Sequence, residues 1–184
     1  MTDRDRWNSR YLAHAGPDAV PRAWLTAHAA LLPAPALALD LAMGAGGSAG
    51  WLAERGWRVV GLDVADVAVR AAKARWPALR AVVADLQALP LAVSEAPTFD
   101  LILDFYYLER SLWPWVRRSL RPGGLLVMET LARGPTGATG GANPVYLLDP
   151  GELRAAFRDW QLLDYSEGER AGRFVASLVA RRSA

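Results

Sequence analysis

Cysteine is absent from these 184 residues, and histidine occurs only twice. The first absence removes disulfides, thiolate zinc sites and cysteine nucleophiles together, and it suits a reducing compartment. His14 and His28 stand alone without a metal-ligating partner at helical spacing, so both read as structural. No cluster of acids and histidines has the pattern of a divalent-metal site. Dense Lys/Arg blocks are missing as well. The net charge is +2, and the short groups Arg117-Arg118-Arg121 and Arg181-Arg182 read as solvated surface, so nucleic acid is not an expected partner. Nor is a membrane. The most apolar stretch, 27–43, is broken by Pro33 and Pro35 and closes on Asp40. The first ten residues mix charges of both signs and have no apolar core, unlike a signal peptide, so a cytoplasmic location is expected.

What is present is a well-mixed globular composition, 52% hydrophobic and 22% charged. The length suits one domain and is too short for a nucleotide domain with a separate substrate domain. Apolar runs rich in Val, Leu and Ile read as strands near 36–41, 57–63, 79–84, 99–105, 124–131, 161–167 and 174–180. Their near-continuous apolarity fits strands covered on both faces. Helical patterns fall near 4–13, 18–32, 49–55, 65–75, 109–120 and 150–159, with Gly56 and Pro77 closing two of them and Asp149-Pro150 opening the last. Alternating strands and helices predict an α/β fold with a doubly wound, mostly parallel seven-stranded sheet. The last two strands are separated only by 168–172 and should form an antiparallel hairpin at one edge. The first two helices, in 1–35, would form a cover on a compact unit spanning 36–184. The glycine-rich segment 133–143 is either a lid or a slack surface loop.

The densest chemical signal is Asp40-Leu41-Ala42-Met43-Gly44-Ala45-Gly46-Gly47, followed by Val59-Val60-Gly61-Leu62-Asp63. A strand ends in an acid and opens into a glycine turn, and a second strand stops at another acid. The turn satisfies the loose dinucleotide fingerprint, with Asp63 near the position that accepts from a ribose diol. Asp40 points elsewhere: a carboxylate beside the turn repels a pyrophosphate and welcomes an amine.

Five ordered segments resemble the class I S-adenosylmethionine-dependent methyltransferases. Leu39-Asp40-Leu41-Ala42-Met43-Gly44-Ala45-Gly46 is similar to the family's first motif, and Asp63 to the acid after its second strand. Ala84-Asp85-Leu86-Gln87-Ala88-Leu89-Pro90, Phe99-Asp100-Leu101-Ile102-Leu103-Asp104 and Leu120-Arg121-Pro122-Gly123-Gly124-Leu125-Leu126 follow in the family's order. Arg6-Trp7-Asn8-Ser9-Arg10-Tyr11 and 51–59 resemble small members of the tellurite-resistance and thiopurine methyltransferase type. Met43 stands where that type usually has cysteine or glycine, and Gly47-Ser48 where its turn often has Arg-Asn.

The resemblance implies a Rossmann-like fold, S-adenosyl-L-methionine as cofactor and a small-molecule acceptor, either a thiol or a metalloid oxyanion. The alternatives are O- or N-methylation of a small molecule, or cofactor binding without catalysis. It also implies roles. Asp40 would face the methionine ammonium, or merely cap the turn amides. Ala42, Gly44 and Gly46 would bring backbone against the cofactor. Asp63 would take the ribose hydroxyls, or simply cap a helix, and Val64 would pack on adenine. Asp85 would accept from the adenine amino group, or serve as a turn residue, with the Leu86 N–H reaching a ring nitrogen. Trp7, Arg10 and Tyr11 would cover the cofactor, Arg10 meeting its carboxylate. Asp104 would sit near the donor methyl as a positioning or proton-accepting group, and Tyr106 and Tyr107 would line the acceptor pocket. No Asp-Pro-Pro-Tyr or Asn-Pro-Pro-Tyr tetrad is present, which weighs against methylation of adenine or glutamine amino groups.

Overall fold

The computed structural model describes residues 1–13, 19–88, 97–134 and 143–183. His14, Leu89, Pro90, Asp18 and most of the segment 133–143, the candidate lid, lie outside them. The strands are β1 (Leu37–Leu41), β2 (Arg58–Asp63), β3 (Arg80–Val83), β4 (Phe99–Phe105), β5 (Leu120–Leu131), β6 (Gln161–Arg170) and β7 (Arg173–Arg181). They form one sheet in the order β3-β2-β1-β4-β5-β7-β6. The first five run parallel, while β7 pairs antiparallel with both β5 and β6. Successive residues serve opposite faces. Ala38, Leu101, Leu103 and Val127 enter one core, and Leu39, Leu41, Ile102 and Leu126 enter the other. That two-sided burial explains why these strands read as unbroken apolar runs.

Helices α1 (Asp3–Ala13), α2 (Ala23–Ala27), α3 (Gly47–Ala53), α4 (Asp66–Arg75), α5 (Trp113–Ser119) and α6 (Glu152–Ala156) surround the sheet. Several are shorter than their sequence patterns. The 109–120 pattern splits because the Glu109 side chain accepts from the Ser111 N–H, closing a 3-10 turn before α5 begins at Trp113 with Pro114 in its first turn. Its last residue, Leu120, leaves the helix and pairs with Phe99, ahead of a bulge that resets the register at Leu101. The 18–32 pattern yields α2 and a 3-10 turn at Ala29–Leu31, and the 150–159 pattern shrinks to α6 behind Gly151 at φ 74°. The last hairpin is longer than expected. Its strands pair down to Arg170 and Arg173, leaving only Ala171 (φ 49°) and Gly172 (φ 73°) in the turn. Two left-handed residues give the tight turn whose twist matches the flanking strands.

Helix α1 is fixed to the start of α4 by one asparagine. Asn8 Nδ2 donates to Asp66 Oδ1 at 2.5 Å, and its Oδ1 accepts from the Val67 N–H at 3.2 Å. Helix α2 buries Trp24 and Leu25 in the core that also holds Leu101 and Val179. His28 joins α2 to β6: Nδ1 lies 2.8 Å from the Trp24 carbonyl and Nε2 2.7 Å from Asp164.

Candidate active site

Strands β2, β1 and β4 are sheet neighbours and run parallel, so their carboxyl ends open on the same edge. Asp63, Asp40 and Asp104 sit there, and all three are buried. Asp63 is tied down by backbone. Its Oδ1 accepts from the Ala65 N–H and its Oδ2 from the Gly44 N–H, each at 2.8 Å. The first bond closes an Asx turn just ahead of α4; the second stitches the glycine turn to β2. Burial raises the Asp63 carboxyl above its usual range, and the two N–H donors oppose that shift. Each oxygen keeps a second lone pair for a ligand.

Asp40 and Asp104 differ. Asp40 Oδ2 and Asp104 Oδ1 have no hydrogen-bond partner among the described residues. Burial pushes the Asp40 carboxyl up to about 7, with Asp63 reinforcing the shift and Arg22 opposing it. Burial and then Asp40 drive Asp104 well above its usual range. An ionised buried carboxylate without a partner is costly, so both acids keep their protons to higher pH, and a cation brought to Asp40 would relieve that cost.

The turn between β1 and α3 carries Ala42 and Gly44 at φ 51° and 58°. A Cβ on Gly44 would lie 2.6 Å from the Tyr11 hydroxyl, so this glycine is where the α1 cover closes on the turn. Gly46, at φ 81°, also carries a packing contact. Its missing Cβ would meet the Ala72 Cβ at 3.0 Å, so it lets α4 pack against the turn. The chain ahead of α2 lies over the start of α3: a Cβ on Gly47 would be 2.2 Å from the Val20 carbonyl oxygen, and the Arg22 N–H donates to Ser48 Oγ at 3.2 Å. This places the Arg22 guanidinium 4.9 Å from the Tyr106 ring centroid. Arg22 lines every cavity described below, yet nothing in the sequence marked it beyond a proline at its N-terminal side.

Two inner cavities flank these groups. One, of ≈ 120 Å³, is lined by Trp7, Tyr11, Ala42, Asp63 and Val64, and by Asp85, Leu86, Tyr106 and Tyr107 across from them. Asp3, Ala84, Gln87 and Phe105, with no ligand role expected from the sequence, also line it. The other, of ≈ 350 Å³, lies over the turn and includes Asp40, Ala42, Gly44 and Tyr11. The expected residues thus converge, with three exceptions: Arg10, Gly46 and Asp104 line neither cavity. Arg10 places its guanidinium 5.2 Å from the Trp7 ring centroid and borders an outer groove. Asp85 is exposed, and its Oδ1 accepts from the Gln87 N–H at 2.9 Å, as a turn residue does.

Tyr106 adopts φ 59°, a left-handed conformation rare for an aromatic residue. Glu129 on β5 holds it there: the Tyr106 N–H donates to the Glu129 carbonyl at 2.8 Å, and the hydroxyl donates to Oε1 at 3.0 Å. Ser177 Oγ donates to the other carboxylate oxygen at 2.8 Å. A buried acid within the apolar run Val127-Met128-Glu129-Thr130 was the available sequence signal. Burial foremost raises the ionisation of Tyr11 to about 12 and also raises that of Tyr106 and Tyr107, so all three remain neutral phenols near neutral pH. The Tyr107 hydroxyl is buried without a hydrogen-bond partner among the described residues. Among the described residues no group of three His, Asp or Glu side chains could hold a metal ion, and no helix is long and apolar enough to cross a membrane.

This arrangement of parallel strands, glycine turn and carboxylate edge coincides with a family match: residues 38–124 match the family described as a methyltransferase domain. That match spans just under half of the chain, and solved structures of S-adenosylmethionine-dependent methyltransferases share the fold. The residues present fit S-adenosylmethionine, since the orphaned carboxyl oxygen belongs to Asp40, which lines the cavity over the glycine turn where the cofactor's ammonium would supply a partner.

Solved structures place the fold more narrowly. TehB from Haemophilus influenzae is similar over 96% of this chain and 67% of its own, at 17% identity and a TM-score of 0.76. A TehB-like S-adenosylmethionine-dependent methyltransferase from Corynebacterium glutamicum is similar over 97% and 95%, at 22% identity and a TM-score of 0.63. A protein solved in connection with converting a disulfide bond into a thioacetal group during echinomycin biosynthesis is similar over 98% and 93%, at 20% identity and a TM-score of 0.72. At these identities the shared property is the fold. No curated protein matches the sequence significantly.

Proposed function

We propose that the chain methylates a small soft nucleophile, a thiol or a metalloid oxyanion, that reaches the site already deprotonated. When bound, S-adenosylmethionine supplies an electrophilic methyl group: the acceptor's lone pair bonds to that carbon as the carbon–sulfur bond breaks and its electrons return to sulfur. Asp40 receives the ammonium and Arg22 the carboxylate of the amino-acid end. Asp63 accepts from the ribose hydroxyls through its remaining lone pairs. Ala42 and Gly44 bring backbone to the cofactor, and Val64, Asp85 and Leu86 bracket the adenine. Trp7 and Tyr11 close the cover, with Arg10 at its rim and Gly46 behind the turn, seating it on α4. Asp104, buried at the end of β4 behind the cavities, acts as a positioning group, and Tyr106 contributes its ring to the acceptor wall.

The observation that supports a deprotonated acceptor is the state of the lining groups. Tyr106 already donates its proton to Glu129, Tyr11 and Tyr107 are phenols too weakly acidic to act as bases, and Asp63 is held by two N–H donors. With Asp40 taken by the ammonium, a phenol or amine would have to give its proton to one of these groups or to Asp3 or Asp85 on the exposed side of the cavity. A thiolate or oxyanion gives up none, and orientation in the cavity could supply roughly 7–11 kcal/mol of the barrier.

The test mixes the protein with labelled cofactor and a panel of thiols, selenite, phenols and amines. Transfer to thiols or selenite is the expected result; transfer confined to phenols or amines refutes the proposal. In calorimetry, S-adenosylhomocysteine should bind, and Asp63→Ala should weaken it by about 1.5–3 kcal/mol.

A further inference from the structure

Outside the two inner cavities lies a third, of ≈ 590 Å³, that shares Trp7, Tyr11, Arg22 and Tyr106 with the first. Its opposite wall is the tip of the β6–β7 hairpin. The lining holds four arginines, Arg10, Arg22, Arg170 and Arg173, and no acidic residue. Three of the guanidiniums lie against aromatic rings: Arg10 on Trp7, Arg22 on Tyr106 and Arg170 on Trp24. Glu129 reaches the group from beneath, 3.5 Å from Arg170, but its carboxylate already accepts from Tyr106 and Ser177. The Arg173 side chain has no ion pair or hydrogen bond among the described residues.

The hairpin makes this concentration of charge deliberate in its geometry. Arg170 and Arg173 are directly paired across the last rung, with only Ala171-Gly172 between them. Like charges facing each other across strands destabilise the pairing, and a tight two-residue turn leaves them no freedom to slip apart in register. An anion bound between them removes that repulsion. Guanidinium forks match carboxylates with two parallel hydrogen bonds, and the rings of Trp7 and Tyr106 beside them suit a flat apolar body.

We propose that this groove holds the anionic end of the methyl acceptor, which is an organic anion with a flat apolar body: its carboxylate sits on Arg170 and Arg173 while its nucleophilic atom reaches into the inner cavity. The inference rests on the acceptor reading given above and narrows it to one substrate class. The β6–β7 tip is then a specificity element, and Arg173 is an acceptor-binding residue rather than a cofactor-binding one.

Calorimetry on protein saturated with S-adenosylhomocysteine tests this with two probes of equal shape, 4-mercaptobenzoate and 4-mercaptobenzamide. The carboxylate probe should bind about tenfold or more tightly, as expected for a charge-assisted pair, with the preference shrinking as salt is raised. Arg173→Gln should bring the ratio to near one, and Arg173→Glu should invert it. Both variants should retain the wild-type melting temperature within a few degrees and bind S-adenosylhomocysteine within twofold of wild type. Equal binding of the two probes, no binding of either, or a preference that survives both substitutions overturns the proposal. So does a large loss of S-adenosylhomocysteine affinity in Arg173→Gln, which would assign the groove to the cofactor's own carboxylate. Failure of the wild-type protein to bind S-adenosylhomocysteine would instead strike at the cofactor site, before the probes are compared.

Discussion

Replacing Asp40 with asparagine should stabilise the free protein while weakening its grip on the cofactor. The Asp40 side chain is 2% exposed and one carboxyl oxygen lacks a partner, and burial lifts its ionisation from the usual 3.8 to about 7. A carboxyl raised in this way keeps its proton in the native state where the unfolded chain has released it. Native stability therefore falls as pH climbs from about 4 through 7 and levels off above. Asparagine has no such dependence. Between pH 5 and pH 8 the wild type crosses about two pH units of that interval at ~1.4 kcal/mol each, so its deficit relative to Asp40→Asn should widen by roughly 3 kcal/mol. For a chain of this size that is on the order of 6–12 °C in melting temperature. The same substitution removes the negative charge offered to the ammonium, so S-adenosylhomocysteine should bind about tenfold more weakly. Thermal melts of both proteins at pH 5 and pH 8, with calorimetry at pH 8, read both effects. An unchanged gap in melting temperature between the two pH values, or undiminished binding by the variant, would refute the reasoning.

Gly44→Ala should reduce affinity for S-adenosylhomocysteine by at least tenfold, because φ of +58° strains alanine by about 1–2 kcal/mol and the new methyl group collides with the Tyr11 hydroxyl. Pairing it with Tyr11→Phe should recover part of the loss in the same calorimetric assay, since the collision is with the hydroxyl. Tyr106→Phe should lower stability by about 1–3 kcal/mol in a urea melt, as Glu129 loses a buried donor, while leaving the aromatic wall in place. Collapse of methyl transfer in that variant without a change in stability would show that the hydroxyl takes part in the chemistry.

Much of the fold was legible because burial on both faces of a parallel sheet writes each strand as an apolar run. Asp40, Gly44 and Asp63 were legible for a related reason: strand, turn and strand are contiguous, and their spacing alone brings two acids to one turn. Helix lengths were not. Pro114 and the Glu109 cap cut one pattern in two, and Leu120 was drawn into β5 by its pairing with Phe99. Gly46 reads as a second ligand-facing glycine; its left-handed φ of +81° belongs to the local turn, while its close approach to the Ala72 methyl group on α4 is a tertiary contact.

Sequence by itself determined the strand–helix alternation, the acid-and-glycine edge and the closing hairpin, because each is a local pattern of polarity and backbone freedom. Only the tertiary structure inserted β7 between β5 and β6, laid Arg22 over Asp40's surroundings and set Glu129 beneath Tyr106 and Arg170. Those placements join residues eighteen or more apart in the chain or depend on which sheet edge remains open. Chain spacing carries no record of such contacts; packing and the pairing of buried charge decide them.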